Sequence, residues 1–129
     1  MTLMTIRLEL ARTKEHPAGD PGHAYEFRAP LDGEGHLDEA HWADSKSLCT
    51  VRRFENGAEV EQGILIRNRG KHWVFSYAPG DDDDEGLFRL SSHRFTPGEY
   101  LSVTEHDGVA RTFRIASVTP WHPAAAMSR

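Results

Sequence analysis

The chain has 129 residues, 38% of them apolar and 9% aromatic. That is enough for one domain with its own core, and it excludes a disordered composition. The net charge of −5 comes from 20 acidic and 15 basic residues, and the run Asp81-Asp82-Asp83-Asp84-Glu85 alone supplies that surplus, so no overall basic excess exists to drive binding to a phosphate backbone.

In chain order, Met4, Ile6, Leu8 and Leu10 alternate with Thr5, Arg7, Glu9 and Ala11, the period of a strand with one buried and one solvated face. Glu15 to Gly22 holds two prolines and two glycines without periodicity and reads as a loop. Tyr25, Phe27 and Ala29 then alternate with Glu26 and Arg28 until Pro30, which lacks a donor, ends the ladder. After the turn-rich stretch 30–37, Asp38 followed by Glu39-Ala40-His41-Trp42-Ala43 predicts an N-capped helix of one or two turns. Leu48 to Phe54 and Val60 to Arg67 read as two strands of a hairpin turned at Asn56-Gly57.

Asn68-Arg69-Gly70 leads into Lys71 to Ala78, where Trp73, Phe75 and Tyr77 share one face. Strands at 87–90, 100–105 and 109–118 follow, the last two joined at Asp107-Gly108. About eight short strands with turn signals between them predict a mainly β fold. A small antiparallel β-barrel is expected in preference to a two-sheet sandwich, because closure removes unpaired edges. Residues 1–129 are expected to form a single domain with a frayed tail from about Trp121.

Cys49 is the only cysteine, which excludes an intramolecular disulfide and a four-thiolate zinc site. No apolar run has signal-peptide or membrane-spanning length, so a cytoplasmic protein is expected. The acidic run offers carboxylates to a hard cation but lacks the spacers and bend of a calcium loop, and it reads as a solvated, self-repelling segment. Among eight histidines, His36 and His41 around Asp38 are the candidate metal ligands, although a third ligand is not evident. His72, His93 and His106 meet only if the fold brings them together. The aromatic stripe Trp73-Phe75-Tyr77 has the pattern of a base-stacking platform, with Arg67, Arg69 and Lys71 just upstream; core packing is the preferred reading. A basic patch at Arg52, Arg53, Arg67, Arg69 and Lys71 is the remaining route to nucleic acid. No nucleophile elbow, P-loop or dinucleotide fingerprint occurs.

His93-Arg94-Phe95-Thr96-Pro97-Gly98-Glu99-Tyr100, followed by Arg111-Thr112-Phe113, resembles a segment of ferredoxin-reductase-type flavin barrels. That resemblance implies a flavin phosphate on Arg111 and a ring packed on Phe113. Phe113, Arg114 and Glu99 stand where that family has tyrosine, serine and glutamine, and a nicotinamide-binding domain is not expected. As a whole, through Tyr25-Glu26-Phe27, Ala29-Pro30-Leu31-Asp32, Val51-Arg52-Arg53-Phe54 and the 92–100 segment, the chain resembles a group of small alphaproteobacterial proteins of unknown function, which implies a bacterial cytoplasmic protein.

The leading expectation is a non-enzymatic barrel that binds a partner protein or small ligand without a cofactor, as a monomer or weak homodimer. His93, Arg94 and Tyr100 near Pro97-Gly98 are the favoured contacts, with Arg111 beside them as a ligand residue. A metal- or flavin-dependent enzyme using His36, His41, His93 and Arg111 is the second reading, and a nucleic-acid binder using the 67–77 hairpin is the third.

Overall fold

A computed structural model describes residues 3–68, 70–77 and 84–121. Its strands are β1 (Leu3–Leu10), β2 (Asp20–Pro30), β3 (Thr50–Glu55), β4 (Ala58–Arg67), β5 (Trp73–Ser76), β6 (Glu85–Leu87), β7 (Tyr100–Thr104) and β8 (Ala110–Pro120). Each pairs antiparallel with its sequence neighbour, and β8 returns to β1, closing an eight-stranded barrel. Closure leaves no edge strand among the described strands.

Alternation works as expected because one parity fills the lumen and the other faces outward. Ile6, Leu8, Phe27, Val51, Phe75, Leu101, Phe113 and Ile115 are all buried. Tyr25, Phe27, Phe75 and Phe113 interlock, with centroid distances of 5.2 Å for the Tyr25–Phe75, Tyr25–Phe113 and Phe27–Phe75 pairs. An eight-stranded barrel is just wide enough for side chains to fill it, and this lumen is packed by the aromatic cluster. The stripe Trp73-Phe75 is therefore core, with Trp73 only 4% exposed, and offers no surface for base stacking. On the outer wall Arg7 and Arg52 alternate with Glu9, Glu26 and Glu59 in a ladder of ion pairs.

The β3–β4 turn matches its residues. Asn56 (φ 53°) and Gly57 (φ 79°) take the left-handed conformations of a two-residue hairpin turn. Gly63 answers a different need: a Cβ there would lie 2.2 Å from the Ser76 carbonyl oxygen, so only glycine lets β4 pass β5 with Tyr77 alongside.

One end of the barrel is closed by α1 (Glu39–Asp44), with Asp38 accepting the His41 backbone N–H as its N-cap. Trp42 drops from this helix into the core, donates from Nε1 to the Leu65 carbonyl at 3.1 Å and meets Trp73 edge-on at 4.6 Å. Trp121, expected in the frayed tail, is instead held by its backbone N–H to the Leu3 carbonyl and by Arg28 stacked at 4.0 Å over its ring; residues 122–129 lie outside the described residues. The opposite end carries the β1–β2, β3–β4 and β7–β8 connections and forms the mouth.

Candidate functional site

Following each lumen-facing row toward the mouth, the apolar side chains give way to ionisable ones. Ala29, Phe27 and Tyr25 lead to His23; Val51 leads to Arg53; Leu65 and Gly63 to Glu61; Phe75 to Tyr77; Leu87 to Glu85; Val103 to Glu105; Ile115 and Phe113 to Arg111. Seven strands thus bring one ionisable group each to the same rim by period-two geometry alone.

Two carboxylates are sunk deepest: Glu85 is fully buried and Glu105 is 3% exposed. Buried carboxylates require donors, and both have a full set. Tyr25 hydroxyl lies 2.5 Å from Glu105 Oε2 and 3.0 Å from Glu85 Oε1. A phenol has one proton to give. The shorter contact marks Glu105 as its acceptor, and Tyr77 hydroxyl donates to Glu85 at 2.7 Å. Glu85 Oε2 also accepts the His106 backbone N–H at 3.0 Å and contacts His106 Nδ1 at 3.0 Å. Glu105 meets His23 Nε2 at 2.7 Å and accepts from Arg111 Nη1 at 2.8 Å. Arg53, also buried, stands 3.7 Å from Glu85 through Nε and pairs outward with Glu55 and Glu61.

These contacts set the electrostatics. Burial, then the charges of Glu85 and Glu105, push the Tyr25 hydroxyl pKa far up, and burial and Glu85 do the same to Tyr77, so both remain donors. Burial alone would raise the Glu105 pKa; hydrogen bonds from His23 and Tyr25 and the charges of His23 and Arg111 outweigh it, so the pKa falls below its ordinary value. Asp107 is drawn down to about 2 by Arg111 and then by the Val109 backbone N–H.

Above this floor lies a cleft of about 530 Å³ between the β1–β2 connection and the β7–β8 hairpin, lined in part by Arg12, Thr13, His16, His23, Arg111 and Thr112. His23 joins the two levels, with one ring nitrogen committed to Glu105 and the ring forming part of the cleft wall.

The candidates named from sequence are placed as follows. Arg111 is at this rim, but its guanidinium is committed to Glu105 and Asp107, and Phe113 is buried in the lumen, which leaves neither placed as the flavin resemblance implies. His93, Arg94 and Tyr100 lie elsewhere: His93 bonds the Phe88 carbonyl, the Arg94 stem crosses Gly35, and Tyr100, 56% exposed, faces Arg114 across the hairpin. His41 is engaged with Asp38 through Nδ1 at 2.8 Å, and His36 gives its backbone N–H to Asp32. Among the described residues no group of three or more histidine, cysteine or carboxylate side chains is arranged to hold a metal. His72, His93 and His106 are not brought together; only His106 reaches the rim. The basic patch is dispersed, since Arg53 turns into the lumen while Arg52 and Arg67 pair with Glu26 and Glu39; Arg69 lies outside the described residues.

The acidic run is divided. Asp81 to Asp83 lie outside the described residues, whereas Glu85 starts β6 and faces the lumen, so it does not belong to a solvated loop. Burial keeps the Cys49 thiol protonated by raising its pKa. Among the described residues no helix is long and apolar enough to cross a membrane. No protein-family model matches the chain, and searches of curated proteins and of solved structures give no significant match.

Proposed function

We propose that this barrel is a non-enzymatic binding module that takes a small polar ligand in the mouth cleft, with His23 as its hydrogen-bonding floor. The observation that carries the reading is the anchoring of His23: Nε2 is held at 2.7 Å by buried Glu105, which fixes the ring and leaves its other nitrogen for a guest. The packed lumen directs a ligand to the rim, where Arg12, His16, Thr13 and Thr112 add hydrogen-bonding groups. A binding role suits the chemistry better than turnover. Each buried carboxylate is already saturated with donors, and among the described residues no hydroxyl or thiol is hydrogen-bonded to His23 as a nucleophile would be. The proposed setting is the bacterial cytoplasm, which suits a single buried cysteine, with the protein acting as a monomer.

The test is ligand-observed NMR of the protein against small carboxylates, polyols and amines, followed by titration of His23→Ala. Saturable binding that shifts the His23 ring resonances and is lost in the variant is expected, without chemical change in the ligand. Hits that bind His23→Ala unchanged, or a ligand converted to product, would refute the proposal.

A further inference from the structure

At the closed end, away from the mouth, a second groove of about 350 Å³ runs between the β4–β5 turn and the segment following β6. Three features converge on it. Lys71 (φ 62°) and Arg89 (φ 49°) both line it, and apart from Asn56 of the hairpin turn they are the non-glycine residues with left-handed backbone among those described. Glycine or asparagine would occupy such positions with less strain, yet both carry a long cationic side chain. Phe88, next to Arg89 on the segment following β6, also lines the groove and is 60% exposed, more than any other large apolar side chain described.

Charge in the groove has one sign. Arg67, Lys71 and Arg89 line it and, among the described residues, no carboxylate does; Glu39 of α1 pairs with Arg67 at 2.9 Å, which leaves Lys71 and Arg89 as the cations of this lining without a salt-bridge partner among the described residues. Arg89 stands 5.1 Å over the Phe88 ring and Arg67 5.5 Å over Trp73, so both of these aromatic rings have a cation beside them.

From this we infer that the groove binds a nucleotide unit, its phosphate on Lys71 and Arg89 and its base stacked on Phe88. Phosphate calls for cations lining one groove, which the acidic balance of the whole chain does not preclude because the charge is local. A base calls for an exposed aromatic face, which the buried stripe of β5 cannot give and Phe88 can. The same chemistry arises from a free mononucleotide or from one residue of a single strand.

The experiment titrates the full chain with adenosine 5′-monophosphate, adenosine, inorganic phosphate and a short oligothymidylate, following Trp fluorescence, since Trp73 lines the groove. Lys71→Gly and Arg89→Gly suit the backbone there, and Phe88→Ser removes an exposed ring, so all three variants retain the fold. The monophosphate is expected to bind more tightly than adenosine or phosphate alone, and each variant to weaken it about 10-fold. The slope of log affinity against log salt should flatten by roughly one for each cation removed. His23→Ala, at the opposite end, leaves this binding unchanged, which keeps it separate from the mouth cleft. An oligothymidylate that outcompetes the monophosphate identifies a strand as the source; equal or weaker binding identifies the free nucleotide. Absence of binding by either, adenosine binding as tightly as the monophosphate, or affinity unaltered in the Lys71 and Arg89 variants overturns the inference.

Discussion

Removing the Tyr25 hydroxyl should expose how much of the barrel's stability lies in its mouth. In Tyr25→Phe the ring stays packed between Phe75 and Phe113, so the substitution deletes one polar atom from an unchanged aromatic cluster. Glu105 loses its 2.5 Å donor but keeps His23 and Arg111; Glu85 keeps Tyr77 and His106. The cost is therefore that of one hydrogen bond to a charged group, about 1.5–3 kcal/mol, rather than the larger penalty of an unpaired buried charge. For a chain of this size that corresponds to a fall in Tm of about 5–10 °C. Urea unfolding should show a lowered midpoint with an unchanged m value, while the exposed control Tyr100→Phe stays within about 0.5 kcal/mol.

The pH dependence supplies a sign. Glu105 has a depressed pKa when folded, so its contribution is fully present above its ordinary value of 4.5 and is lost as pH falls through the folded value. Without the Tyr25 proton that depression shrinks, and the gap between wild type and variant should narrow on acidification below 4.5. A loss smaller than about 0.5 kcal/mol, or a gap constant from neutral pH into the acid limb, would refute the assignment of this hydroxyl to Glu105.

Four other outcomes follow from the geometry. Gly63→Ala forces a Cβ against the Ser76 carbonyl and should cost about 2 kcal/mol or more in urea unfolding; a neutral result would place the β4–β5 approach wrongly. Trp42→Ala should cost about 3–5 kcal/mol and abolish near-ultraviolet circular dichroism from the Trp42–Trp73 pair, since it removes the closed-end plug and a hydrogen bond to Leu65. Arg89→Gly should be neutral to about 0.5 kcal/mol stabilising, relief of left-handed strain offsetting chain entropy; destabilisation would show that the side chain serves the fold. Asp107, followed by carboxyl NMR, should titrate near 2 in the native protein and return toward 3.8 in Arg111→Gln.

Most of the barrel is legible in sequence because its rule is local. Period two separates lumen from solvent, and Asn56-Gly57 and Asp107-Gly108 mark two of its turns, so β1, β4 and β8 need only their own residues to be read. β6 (Glu85–Leu87) is read two residues late, as 87–90, because Glu85 closes a run of acidic residues that resembles a loop, while the partners that make its burial tolerable, Tyr25 and Tyr77, stand on other elements of the barrel. Tyr25 and Glu105 are 80 residues apart in sequence, and their contact exists only once β2 and β7 face each other across a closed barrel. Likewise, His93 and Tyr100 look like neighbours of Arg111 along the chain, but the hairpin places Tyr100 opposite Arg114 and carries Arg111 away to the rim.

A local signal for the rim was nevertheless present. Extending each apolar row by one alternate position ends on His23, Arg53, Glu61, Tyr77, Glu85, Glu105 or Arg111, always at the same end of an up-and-down barrel. One polar residue at an inward position is ordinary strand fraying, but seven at one level cannot be solvated separately and must satisfy one another. That mutual requirement explains why Glu85 and Glu105 can remain buried without a metal-binding cluster among the described residues, and why His23, linked to the network but still lining the cleft, is the group on which the proposed ligand site rests.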